Sequence, residues 1–482
     1  MRKGYLTVFL SLSITLILSI ILLTIEGARL RVVDLRTECV NDIGMNSVLG
    51  EFHRELLEQY DLLFVDMSYG SGAGKIANSE EHLRRYMQKN LEPTKSILSG
   101  FYKDFLNMHV DRASIREYSL ASDYSGSVMR SQALSYMENY TLEGKLAQIL
   151  EHISILEGLG MDTRDLDAER ESNQQVIESI ELPMEEDEDG NEHEVPLNNP
   201  ADIVNSLRSS GVLNLVLDKS EISTTQVEVD RLASHRKLQQ GIYGENLKKP
   251  EVKADKLIFD EYLIKKCGYF GNVLDKSQLS YELEYILYGN DLDWENLEKV
   301  AKRTARWREV SNFIYLCADS EKQEQAKIMA TALTAVALVP ELEEPVTLAI
   351  LFAWAYLESL VDVKILLHEG KIPIIKDDST WKTPLLSILT PRAMLASVNG
   401  GGGSGLSYID YLRIMLYLED KEDVNMRFMD IAELDIRKTE GNSQFRIDNC
   451  FDHFYAENKF SYGFGGSKLM KRVIGYDLEF PE

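Results

Sequence analysis

The chain has 482 residues, 44% of them hydrophobic and 27% charged, with a formal net charge of −26. That composition supports a folded protein with a sizeable core, and the charge excludes general binding to nucleic acid, whose phosphates it would repel. Cysteines at 39, 267, 317 and 450 form no CxxC pair, which excludes a zinc knuckle, a thioredoxin-like motif and a disulfide framework.

Met1-Arg2-Lys3-Gly4 is short and basic, and no residue from Gly4 to Ile25 is charged. About 22 helical residues rise roughly 33 Å, enough for a hydrocarbon core of about 30 Å. The run ends in Glu26-Gly27-Ala28-Arg29, which lacks the small-residue site of a cleaved secretory signal. Residues 1–4 are therefore expected as a cytoplasmic tail and 5–25 as a transmembrane helix contacting the lipid bilayer. Arg2, Lys3 and the N-terminal amine face Arg29, Arg31 and Arg36 across the span. Glu26, Asp34 and Glu38 dilute the second flank, so the expected orientation is N-inside. Thr7, Ser11, Thr15 and Ser19 recur every four residues. This stripe either packs against another membrane helix or satisfies its own backbone carbonyls.

Beyond the span, the pattern predicts helix through Val40, a second helix on Leu49, Phe52, Leu56 and Tyr60, and a short strand at Leu62–Val65. A flexible Gly-rich loop spans 70–74. Helices are expected over 78–90 and 127–159, with a strand at 113–120. The acidic run 185–194, followed by Pro196 and Pro200, reads as a solvated boundary. The expected regions are 26–180, a membrane-proximal helical region with short strands; 181–200, an acidic linker; and 201–482, mainly helical. The last holds predicted helices at 279–288, 294–316, 323–339, 346–367 and 408–418, with a loop at 399–405. The uncharged stretch 346–357 is too short to span a membrane and reads as a buried core helix. Phe352, Trp354 and Tyr356 are assigned to that core, and Asp293 is expected to cap the helix entering Trp294. The fold class is α+β, predominantly helical: one transmembrane helix followed by a large extracytoplasmic globular region.

Chemical motifs fail on spacing. Gly70-Ser71-Gly72-Ala73-Gly74-Lys75 has Tyr69 and Ile76 where a P-loop needs Gly and Ser or Thr. Glu185, Asp187, Asp189 and Gly190 start a calcium-loop pattern, but Pro196 occupies its twelfth position. Ser71 and Ser404 each lack one glycine of a nucleophile elbow. The histidines form no HExxH pair; His53 and His82 read as surface or interface residues. No catalytic residue is assigned. The remaining chemical candidates are Glu358 and Asp362, four apart on an apolar helix, and Glu282 beside Glu284. Such acids more commonly meet Arg308, Arg392 or a helix N-terminus. No cofactor and no metal are expected. The thiols are expected to be buried and free, with pairing of Cys267 to Cys317 or Cys450 left open in an oxidising compartment.

Three segments carry a resemblance: Tyr281-Glu282-Leu283-Glu284-Tyr285-Ile286-Leu287-Tyr288-Gly289-Asn290 with Asp293 and Asn296-Leu297; 354–362 with Gly370-Lys371-Ile372-Pro373; and 408–418. They resemble signatures of an uncharacterised family of single-span envelope proteins of Gram-positive bacteria. The N-terminus resembles Tad/Flp-type minor pilins (TadE-like), except that Phe9 stands where prepilins carry Glu. The resemblance implies a single-span envelope protein whose partners are other membrane or pilus-assembly proteins, and the failed motifs make a non-enzymatic structural or assembly role the expected function; the alternative is a membrane-anchored enzyme or ligand-binding domain using Glu358, Asp362 or Glu282.

Overall fold

Forty-eight consecutive residues, Arg2–Leu49, form one helix in the computed structural model, which describes residues 2–92, 106–138, 143–161, 163–186, 192–248, 256–463 and 465–476. No proline interrupts the run, and it ends in the turn where the Gly50 N–H donates to Asn46 O at 2.8 Å. The helix is thus longer than the sequence pattern suggested, because Leu49 closes it rather than starting the next. The second helix is Arg54–Tyr60. Over residues 5–25 the large apolar side chains are exposed, and the helix is long and apolar enough to cross a membrane.

From Val33 onward one face of the same helix enters a core. Contacts divide the chain into two units, the first comprising 1–136, 236–254 and 432–482. Its sheet is antiparallel and centred on Cys450–Tyr462, paired with His109–Leu120 on one edge and with Val65–Asp66 and Gly466–Gly475 on the other. Val33, Val40, Met45 and Val48 of the long helix pack with Leu83 and Met87 against Phe451, Phe454 and Phe460. Gly44 permits this packing, since a Cβ there would lie 2.4 Å from Met87 Cγ. The Asn458 amide donates to Asn41 Oδ1 at 2.8 Å inside the core, pairing two polar groups where they are buried. Lys468 and Arg472, on the edge strand, pair with Asp34 and Asp42 of the helix.

The second unit comprises 137–235 and 255–431 and is built around Glu343–Leu367. This is the second helix long and apolar enough to cross a membrane, but 89% of its most apolar window is buried in protein. Phe352, Trp354 and Tyr356 lie in the core as expected; the Phe313 and Phe352 rings stack at 4.5 Å. Charged residues on both flanks and full enclosure explain why it behaves as a core helix.

These units differ from the consecutive regions 26–180 and 201–482. Pairing Cys450–Tyr462 with His109–Leu120 draws the C-terminal strands into the N-terminal unit. Residues 201–482 are mainly helical as expected, and the hairpin Cys450–Tyr462 and Gly466–Gly475 adds strands that the sequence pattern did not show. The acidic segment is not a unit boundary: Met184–Glu186 and Glu192–Glu194 pair antiparallel within the second unit. Residues 187–191, and with them Asp187, Asp189 and Gly190, lie outside the described residues. The pattern over 127–159 is two helices, Asp123–Met137 and Glu143–Gly158, and the early strand is Val65–Asp66. The helices Ile76–Leu91, Ser320–Val336 and Tyr408–Leu418 stand where the pattern put them, within a few residues. Among the described residues no disulfide joins the cysteines; Cys267 and Cys450 are buried as expected, whereas Cys39 and Cys317 are exposed.

Candidate functional site

The sequence candidates Glu358 and Asp362 do share a helix face, but both are fully buried. Lys376 pairs with both carboxylates, reaching Asp362 Oδ1 at 2.5 Å. Arg308 Nε donates to Asp362 Oδ2 at 2.9 Å and its Nη1 donates to the carbonyls of Pro373 and Ile374. The Lys382 and Thr383 N–H groups donate to Glu358 at 2.9 and 2.8 Å. Burial alone would raise the Asp362 pKa, but Lys376 and Arg308 outweigh it and hold the carboxyl below its ordinary range. Two acids and two bases thus neutralise one another and fasten the segment after Lys371 to the core helix.

Glu282 is a third enclosed acid; its Oε2 accepts the Gly268 N–H at 2.5 Å. Glu284 differs in its chemistry. Its Oε1 accepts from the Phe270 N–H at 3.0 Å and the Tyr408 hydroxyl at 2.7 Å, while Oε2 has no hydrogen-bond partner among the described residues. Burial pushes this carboxyl up to about 7, against the hydrogen bonds from Phe270, Tyr408 and its own backbone N–H that lower it, and Asp293 raises it further. Asp293 is not a cap. The cap position is Leu292, and Asp293 Oδ2 instead accepts from the Ser280 N–H and the Ser223 hydroxyl. None of these carboxylates reaches solvent, so none meets a substrate as placed.

His53 is not a surface residue; its ring accepts the Leu56 N–H at 3.3 Å and bonds Asn442 at 3.1 Å, capping Arg54–Tyr60. His82 Nδ1 meets Glu51 at 2.9 Å and its ring lies 3.9 Å from that of Tyr69. Gly72 and Gly74 pack closely on Gln444 and Asn449, so a Cβ at either would overlap those side chains. Along the N-terminal helix, the Thr15 hydroxyl donates to Ser11 O, Ser19 to Thr15 O and Thr7 to Gly4 O, all at 2.8–2.9 Å. Three of the four stripe hydroxyls thus bond carbonyls of their own helix. Among the described residues, no three His, Cys, Asp or Glu side chains are placed to hold a metal ion.

The groups that do reach a cleft were not singled out by the sequence. Trp294, Glu298 and Lys302 follow at four-residue steps on Asp293–Ala318 and line one wall of a cavity of about 530 Å³, within the size range of ligand sites. Leu213, Lys219 and Ile222 form the other wall. Gly211, at φ +76°, turns the chain so that the Val212 and Leu213 N–H groups donate to Glu298 at 2.9 and 2.8 Å. Lys302 Nζ completes the Glu298 site at 3.2 Å. Trp294 keeps 40% of its surface exposed, whereas Trp307 and Trp354 are sealed.

The fold is thus a predominantly helical α+β chain with one N-terminal helix able to span a bilayer. The chain belongs to a family described as a family of unknown function, DUF5702, which matches residues 190–462. That match covers the Trp294 cleft and the buried ion network and leaves out the N-terminal helix. No curated protein matches the chain, and no solved structure does.

Proposed function

We propose that the protein is a membrane-anchored extracytoplasmic component that works by binding and assembly rather than by catalysis, associated with a Tad/Flp-like pilus or secretion apparatus. The observation that carries the anchoring is the unbroken Arg2–Leu49 helix, whose first half exposes apolar side chains and whose second half forms part of a folded core. A chain so arranged gives up the hydrophobic effect along residues 5–25 unless lipid or another apolar helix covers them. Continuity of the helix means that a load on the domain passes to the membrane without a flexible joint. The resemblance to Gram-positive single-span envelope proteins and TadE-like pilins supplies the apparatus. The reading is supported by the enclosure of Glu358, Asp362 and Glu282, the acids on which the alternative, an anchored enzyme or ligand-binding domain, would be built.

The test is affinity purification of the full chain from membranes of its own host in mild detergent, followed by mass spectrometry. Recovery of pilus or secretion components is expected. Recovery of the chain alone, under conditions that keep known membrane complexes intact, would sink the assembly reading.

A further inference from the structure

The Trp294 cleft carries an inference independent of the assembly reading. We propose that it binds a saccharide bearing an anionic group, with the sugar ring on the indole and the anion at Lys219.

Three features of the cleft combine to select that ligand. First, Trp294 remains 40% exposed and lines the cleft together with Leu213 and Ile222, and an indole is a flat apolar surface of the kind that stacks on the C–H face of a pyranose. Second, the flanking groups are small hydroxyls and an amide, Ser209, Ser210, Thr224 and Asn214, suited to sugar hydroxyls rather than to an aliphatic chain. The Asn214 amide donates to Ser210 O, leaving its carbonyl oxygen as an acceptor. Third, the charge of the lining is positive in a chain of net charge −26. The one acid, Glu298, is already taken up by two backbone N–H groups and Lys302. Lys219 has no ion-pair partner among the described residues and lines the same cleft. An anion entering there meets a cation without displacing an internal partner. A neutral apolar ligand would leave the hydroxyls and the lysine unanswered, and an open-chain anion would leave the indole bare.

The probe is trigalacturonate, with maltotriose as its neutral counterpart and adenosine monophosphate as an aromatic anion. Each is titrated by calorimetry into the full chain in detergent at low salt. Saturable binding of trigalacturonate is expected, at least ten-fold tighter than maltotriose and weakened as salt is raised. Lys219→Glu, a change on an exposed side chain, is expected to weaken trigalacturonate at least ten-fold with an unaltered thermal midpoint. Trp294→Ala is expected to abolish it. Absence of saturable binding, equal affinity in Lys219→Glu, or tighter binding of adenosine monophosphate than of trigalacturonate would each overturn the proposal. None of these results depends on the partners recovered from membranes.

Discussion

Replacing Glu284 by Gln tests the buried acid of the second unit most sharply. Burial pushes the folded carboxyl up to about 7, against an ordinary 4.5, because it is fully enclosed and its hydrogen bonds do not offset the loss of water. In the folded chain it is thus neutral over a range where the unfolded chain has already ionised. Its contribution is fully present below about pH 4.5 and is lost as pH rises towards 7, at about 1.4 kcal/mol per unit, on the order of 3 kcal/mol in all. Glutamine copies the neutral acid: its carbonyl oxygen can keep the Phe270 and Tyr408 donors, and it cannot ionise. Glu284→Gln is expected to leave the thermal midpoint nearly unchanged at pH 5. At pH 8.5 it is expected to raise the midpoint by several degrees. The assay is thermal unfolding of both chains in detergent from pH 5 to 8.5. A midpoint difference that stays constant across that range would refute the reasoning. Asp362 does not confound it, because its pKa is lowered and its stabilisation fades only at pH values below its ordinary 3.8.

Further outcomes follow from particular contacts. Asp362→Ala removes the carboxylate paired with Arg308 and leaves Lys376 with Glu358 alone, and is expected to destabilise the second unit by about 3–5 kcal/mol in denaturant unfolding. Gly44→Leu forces side-chain atoms into Met87 and is expected to cost the first unit about 1–3 kcal/mol in the same assay. Residues 5–25 hold fourteen Leu, Ile, Val and Phe, giving about 4–8 kcal/mol in favour of insertion against roughly 3 kcal/mol for one central arginine. Leu16→Arg should therefore stay largely in the alkaline-washed membrane pellet, while Leu16→Arg with Ile20→Arg should appear in the supernatant.

The sequence made the strongly periodic elements legible. The core helix Glu343–Leu367 announces itself by an uncharged stretch too short for a bilayer, and the N-terminal helix by a stretch long enough for one. Boundaries were less legible: Gly50 is a local stop signal after Leu49, but the apolar spacing of Leu49, Phe52, Leu56 and Tyr60 runs across it. The C-terminal hairpin was missed although Gly463, Gly465 and Gly466 mark its turn. Its central strand is buried on both faces for much of its length, so Cys450–Tyr462 lacks a clean alternation. The pairing that defines the first unit joins residues more than three hundred positions apart, which no window of sequence contains. The cleft was hidden for the same reason. Trp294 reads as one more apolar residue at a helix start until the segment around Gly211 is brought beside it. The acids were visible and Arg308 was among their expected partners, but Lys376 comes from a loop that no local pattern ties to the core helix, and Arg392 is not in the network.

The most direct test of the anchored, extracytoplasmic reading uses the protein's own thiols. Cys39 and Cys317 are exposed, and Cys267 and Cys450 are buried. Intact cells are treated with a membrane-impermeant maleimide, and their membranes are then washed at alkaline pH. The expected result is labelling of Cys39 and Cys317 before lysis, with the labelled chain retained in the membrane pellet. Labelling of these thiols only after lysis, or release of the chain by the alkaline wash, would contradict it.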